Sequence, residues 1–199
     1  MPRVMSPRDA EAFRQKLVEA ATELIVSRGS IEFTMRELAA AVGCSPMLPY
    51  RYFKDKDDII AAVRALAFTR FAEALEKPRS GPGPAQQRSY DVGGAYVAFA
   101  FAHPMLYRLM FDRPLLEPGR YPDLDAAGAR ARDTMTDHVR DVVAQGLLAG
   151  DPVVIGHVFW ASLHGLIMLE MSGQLGPEPG FEALRGALVQ ALVFGLRKT

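Results

Sequence analysis

Apolar residues recur along this chain at intervals of three and four, and no stretch keeps the alternation of a half-buried strand. The pattern predicts an all-α protein of about nine helices. Phe13, Leu17, Ala20, Ala21, Leu24 and Ile25 form the first apolar stripe. Upstream of it, Ser6-Pro7-Arg8-Asp9 has the form of a helix start: a Ser cap, Pro at the first helical position and an acid at the third. Gly29 closes that helix. Thr34-Met-Arg-Glu37 is a capping box that opens a second helix, and Gly43 stops it. Ser45-Pro46 restarts the chain as a cap plus a first-turn Pro. Asp55-Lys-Asp-Asp58 opens a fourth helix, with Ile59, Ile60, Val63, Leu66 and Ala67 on its apolar side, running to about Leu75.

Pro and Gly then crowd residues 77–84, which read as a mobile or extended loop over about 77–85. Helices are predicted beyond it at about 86–102, 104–111, 123–149, 152–173 and 180–197. Asp151-Pro152 caps the fourth of these, while Pro104 and the stretch from Pro114 to Pro122 mark other breaks. Functionally, residues 1–56 separate from residues 57–199.

The 199 residues are 49% hydrophobic with zero formal net charge, enough for a sizeable core and neutral on the question of nucleic acid. Residues 1–70 carry about two more basic than acidic groups, a weak bias toward an anionic partner. A lone cysteine, Cys44, excludes a disulfide framework and a Cys-based zinc site and fits a reducing cytoplasm. The first residues lack the apolar core of a signal peptide. The most apolar segments, 153–169 and 183–196, read as too short or too polar for a membrane span. The expectation is a soluble cytoplasmic protein without a cofactor or a metal.

The segment 34–56 holds the densest chemistry. Two helices that cross sharply need small residues at the contact and a turn residue that tolerates positive φ, and Ala39 and Gly43 provide both. Leu38, Val42 and Cys44 are spaced to point inward. Ser45 can cap the next helix and offer its hydroxyl and the helix end to a phosphate. Tyr50, Tyr52, Lys54 and Lys56 are long, polar-tipped side chains suited to clamping a nucleic-acid backbone. Pro46, Met47, Leu48 and Arg51 fall nearest base edges, where only Arg51 can make a bidentate contact to guanine. Thr34 and Arg36, at the start of the first helix of the pair, complete the candidate DNA-binding set. A plain α-hairpin is the alternative reading of the same residues.

The order of these features is more specific than any one of them. Arg14-x-x-Leu17-x-x-Ala20-Ala21-x-x-Leu24, Gly29, Thr34, Leu38-Ala39, Gly43-Cys44-Ser45, Tyr50-Arg51-Tyr52-Phe53 and Lys54-Asp-Lys56-Asp-Asp58-Ile59 resemble, without gaps, the N-terminal domain of the TetR (tetracycline-repressor-like) family of transcriptional regulators. The resemblance implies that Thr34, Ser45, Tyr50 and Lys56 contact DNA phosphates and that the second helix of the pair reads the major groove. One departure stands out. The family commonly has a small-Thr-Leu/Val run before the first Tyr, and this chain has Met47-Leu48-Pro49. Pro49 removes an intrahelical hydrogen bond and biases Leu48 away from helical dihedrals, so the helix start is expected to be tightened or displaced.

In that family the C-terminal helices bind a small molecule and pair two subunits. His103-Pro-Met-Leu-Tyr-Arg-Leu-Met-Phe111 and Trp160-Ala-Ser-Leu-His164-Gly165-Leu166 resemble a C-terminal subtype named for a Trp-His-Gly signature. Trp160 and His164 share a helical face, with His157 and Met168 near in projection, and Tyr96, Phe99 and Met110 are candidate opposing walls. An aromatic cavity with a few polar tips is one reading; core packing with a hydrogen-bonded His is the other. His157, His164 and Glu170 are the nearest approach to a metal-ligand set, and nothing else in the sequence supports one.

The last two helices carry small residues, Gly156 and Gly165 on one, Gly186 and Gly195 on the other. That allows a four-helix interface around a two-fold axis or, alternatively, packing within one subunit. The expected function is a ligand-responsive repressor that binds a palindromic operator as a homodimer and is released by a small, largely apolar or aromatic effector. Two alternatives stay open: an all-α enzyme with His164 as base, and an interaction bundle whose DNA motif has decayed.

Overall fold

A computed structural model describes residues 6–112 and 119–197. Among them are eight α-helices, one 310 turn and no strand. The helices are α1 (Pro7–Arg28), α2 (Met35–Val42), α3 (Lys56–Arg79), α4 (Ala85–Ala102), α5 (Pro104–Phe111), α6 (Pro122–Ala144), α7 (Pro152–Met171) and α8 (Phe181–Leu196), with the 310 turn at Pro49–Arg51. Pro114 lies outside the described residues.

The predicted caps form. The Ser6 hydroxyl accepts from the Asp9 N–H at 3.1 Å, and Gly29 ends α1 with φ 62°. Thr34 and Glu37 make the reciprocal capping box, and Gly43 ends α2 with φ 74°. The Asp151 carboxylate accepts from the Val153 N–H at 2.7 Å to open α7.

Two boundaries differ from the sequence reading. Helix α3 does not break at residue 77. It carries Pro78 in its last turn, where a ring costs one hydrogen bond, and the Arg79–Asp137 ion pair at 2.9 Å holds that turn; the connection shrinks to residues 80–84. Helix α6 stops at Ala144 rather than 149. There Gly146 takes φ 72° and Leu147 N donates to Val142 O, the Schellman stop that glycine favours. Helix α7 has 20 residues and an 18-residue window of mean hydropathy 1.6, so it is long and apolar enough to cross a membrane, contrary to the sequence reading, and only 22% of that window is buried in the subunit.

The chain forms two compact units. The first comprises residues up to Phe68 together with Met105–Ala127. Its core is made by Leu17, Ala21 and Ile25 of α1, Leu38 of α2, and Ile59 and Val63 of α3, all fully buried. Lys16 Nζ reaches the Val42 carbonyl at 3.4 Å, holding α1 against the end of α2. Arg64, itself buried, donates to the Met110 carbonyl at 3.3 Å, so a cation meets the C-terminal end of α5.

The second unit comprises Thr69–Pro104 and Gly128–Thr199. Phe71 meets Tyr96 and Phe99 edge-on at 5.3 and 5.2 Å. Arg130 grips Glu76 with two nitrogens at 2.8 and 2.6 Å. Val139, Val142, Leu148 and Ile155 form an apolar cluster that Phe159, Val193 and Leu196 cover. The Ala149 N–H donates to the Leu196 carbonyl at 2.8 Å, which fastens the end of α8 to the α6–α7 connection.

Candidate DNA interface and ligand cavity

The expected second helix of the pair is not an α-helix. After the left-handed turn at Gly43, Leu48 N donates to Ser45 O at 3.0 Å and Arg51 N to Leu48 O at 3.1 Å, closing tight three-residue turns. Pro49 lacks the N–H that would donate to the Ser45 carbonyl as the first bond of an α-helix, whereas Pro46 stands at the first position, where none is needed, so the segment tightens into turns and one 310 turn. Leu48 does not leave the helical region, contrary to expectation: its φ and ψ are −67° and −40°. Pro49 is fully buried and anchors the segment from beneath.

That anchoring turns the polar residues outward. Ser45, Pro46, Met47, Tyr50, Arg51 and Lys54 are exposed, Met47 at 71%. Thr34 and Arg36 are exposed at the head of α2, whereas Leu48, Tyr52 and Lys56 are half-buried. Tyr52 packs against the Phe13 ring at 5.2 Å. Lys56 stands 3.6 Å from Glu32 and 5.2 Å from the centre of the Phe33 ring. The Thr34 hydroxyl is engaged by Glu37, and Cys44 is half-buried.

Glu37, read from sequence only as the capping acid, also accepts from Arg28 at 2.7 Å. Arg28 donates to the Glu32 carbonyl as well, so one guanidinium closes the loop between α1 and α2. The Arg28 hydrogen bond, followed by the Thr34 backbone N–H, holds the Glu37 carboxyl at about 2, below its ordinary 4.5. These contacts fix the angle at which α2 and the segment 45–51 are presented.

The second unit contains a cavity of about 720 Å³, within the usual range for a small-molecule site. Its apolar wall comes from Val142, Leu148, Phe159, Leu163 and Val193, and its polar side from Gln87, Ser89, Glu182, Arg185, Gln190 and Arg197. None of Tyr96, Phe99, Met110, Trp160, His164 and Met168 lines it. Phe71 takes up the Tyr96 and Phe99 rings in packing, Met110 is buried in the first unit, and Trp160 lies edge-on to His157 at 5.8 Å.

Behind the wall, Ser89 Oγ and His138 Nδ1 are 2.8 Å apart. Burial first, then nearby Arg79, push the imidazole down to about 4, with Asp137 and Asp141 opposing. His138 is therefore neutral at pH 7 and can orient the Ser89 hydroxyl. A smaller cleft of about 270 Å³ in the first unit is bordered by Arg14, Tyr52, Asp58 and Tyr121. Among the described residues no three His, Cys, Asp or Glu side chains converge as a metal site.

Comparison with known proteins agrees with both halves. The profile described as "Bacterial regulatory proteins, tetR family" matches residues 17–63, and the "Tetracyclin repressor-like, C-terminal domain" matches residues 90–192, more than half the chain. The chain belongs to the TetR family, whose members are DNA-binding transcriptional regulators. It is 28% identical over 167 residues to the uncharacterized HTH-type transcriptional regulator Rv0681 of Mycobacterium tuberculosis, covering 83% of this chain and 73% of that one. The HTH-type regulator BetI of Rhizobium meliloti matches at 31% over 90 residues, 45% of this chain and 44% of BetI. Among solved structures, a protein of unknown function from Rhodococcus sp. RHA1 superposes over all of both chains with a TM-score of 0.80 at 28% identity. A TetR/AcrR-family regulator from Thermobifida fusca shares the fold, with a TM-score of 0.67 at 22% identity over 94% of this chain and 100% of the other. Family and relatives are regulators, which points away from an enzyme.

Proposed function

We propose that the protein is a homodimeric repressor that binds a palindromic operator and is released by a small effector. The observation that carries this reading is the exposure of Ser45, Pro46, Met47, Tyr50 and Arg51, held outward by the Gly43 turn and buried Pro49. In this reading residues 1–56 bind DNA and residues 57–199 sense and dimerise. Thr34, Ser45, Tyr50 and Lys56 touch phosphates, with Arg36, Tyr52 and Lys54 supporting them, and Arg51 reads a base while Pro46, Met47 and Leu48 pack at base edges. Lys56 must then exchange Glu32 for a phosphate, an exchange that an exposed ion pair permits at little cost.

Pairing uses α7 and α8. Val154 and Phe194 are 59% and 78% exposed in the single chain, and Val158 and Leu169 are exposed beside them on α7. Exposed apolar side chains on both of the last two helices call for a partner, and a two-fold four-helix contact supplies one. The Trp-His-Gly subtype is part of the same proposal, resting on Trp160, His164 and Gly165 along α7. The effector occupies the cavity of about 720 Å³ and prefers the conformer with wrongly spaced DNA-binding segments, so DNA is released by population shift. The cytoplasm is the compartment that a DNA operator implies. A gel shift on DNA upstream of the protein's own operon tests the reading: a salt-sensitive, sequence-specific complex is expected, and its absence at every ligand state overturns it.

A further inference from the structure

We propose, resting on the effector reading above, that the cavity takes an organic anion with an apolar body, and that Arg185 is the residue that holds its acid group. Three independent features of the wall point there.

The first is charge. Arg185 and Arg197 line the cavity against one carboxylate, Glu182. The Arg185 side chain is 20% exposed and stands 5.9 Å from the centre of the Tyr90 ring, while Glu182, at 3.0 Å, is 70% exposed. A pair of this kind, three residues apart on one helix and open to water on the acid side, holds weakly. A ligand carboxylate that arrives from the drier apolar side meets a planar fork matched to two oxygens, and gains more than Glu182 loses.

The second is the apolar wall opposite, where Val142, Leu148, Phe159, Leu163 and Val193 have no charge to satisfy and suit a hydrocarbon body. The third is missing volume. Gly93 and Gly94 of α4 and Gly186 of α8 also line the cavity, and a β-carbon built on any of them meets nothing within 4 Å. Glycine weakens a helix interior relative to alanine, and no packing within the subunit requires it at these positions. What the three glycines preserve is the open space itself, a smooth wall against which a ligand body can lie.

The test uses calorimetric titration of the full-length protein in the absence of DNA, so it succeeds or fails independently of operator binding. Two probe sets are used below their aggregation limits: decanoate, decanol and decylamine, and 2-naphthoate, 2-naphthol and 2-naphthylmethylamine. The expected result is that, in at least one set, the acid binds on the order of tenfold or more tightly than the alcohol and the amine. Arg185→Gln should remove that preference while leaving binding of the alcohol unchanged, a split that a merely structural role does not produce. Gly94→Leu should weaken the acid and the alcohol together without lowering the melting temperature. Equal affinities across head groups, preference for the amine, no binding in either set, or an acid preference that survives Arg185→Gln overturns the proposal.

Discussion

A β-carbon on Gly156 would lie 2.7 Å from the carbonyl oxygen of Met135, so α7 and α6 meet backbone to backbone at that point. The sequence reading left Gly156 and Gly165 open to a contact between subunits or packing within one; Gly156 packs within the subunit. Gly156→Ala should cost about 1–3 kcal/mol, the usual range for overpacking a closed contact. Gly165 is exposed and a β-carbon there meets nothing within 4 Å. Gly165→Ala should leave the subunit unharmed, or stabilise it by up to about 1 kcal/mol through helix propensity, while weakening self-association if α7 pairs across a two-fold axis. Urea melts and sedimentation at graded concentration separate the two effects.

The proposed division of labour between Arg51 and Lys54 makes a second prediction. Arg51→Ala should relax selectivity at one base pair by about 1–3 kcal/mol, whereas Lys54→Ala should weaken all sequences evenly and lower the salt slope by about 1. Binding titrations at several salt concentrations, on an operator and on its single-base variants, distinguish these outcomes.

His138 sets a pH dependence. With its pKa at about 4 in the folded protein and 6.5 as the ordinary value, the folded state binds fewer protons than the unfolded state between those limits. Its contribution is therefore complete above pH 6.5 and declines as the pH falls toward 4, by roughly 3 kcal/mol in total. His138→Gln, which can still hydrogen-bond Ser89, should flatten the stability profile over that window in denaturant melts.

Glu37 titrates lower. Its folded pKa of about 2 lies below the ordinary 4.5, so the Arg28 and Thr34 contacts stabilise fully above pH 4.5 and are lost as the pH falls through 2. Glu37→Gln should lower the melting temperature at pH 7 and narrow the gap from wild type as the pH drops below 4.5. A melting series from pH 7 to pH 3 checks the sign.

What the sequence revealed was mostly local. Ser6, Thr34 and Asp151 cap their helices because a cap is written within three residues, and the same holds for the stops at Gly29 and Gly43. Pro78 misled because its tolerance depends on Arg79 finding Asp137, 58 residues away. The exposed polar side chains at residues 45–54 were legible as a candidate DNA-binding set, but the 310 conformation of their segment turned on Pro49. The cavity was not legible. Aromatic residues drew attention to Tyr96 and Phe99, which Phe71 takes up, while the actual wall draws on α4, α6, α7 and α8. His138 carried no sequence signal, since its partner Ser89 is 49 residues away. The adjacent Gly93 and Gly94 in a predicted helix were the one available hint.

Operator binding by the dimer is tested most directly by selection of bound duplexes from random DNA by the purified protein, followed by affinity measurement on the enriched sequence. The expected result is an inverted repeat with half-site centres about 34–36 Å apart or a multiple of that, two chains per duplex, a steep loss of affinity with salt, and a large loss in a Tyr50→Ala, Arg51→Ala double variant. Enrichment of no shared sequence, or affinity unchanged in that variant, would contradict it.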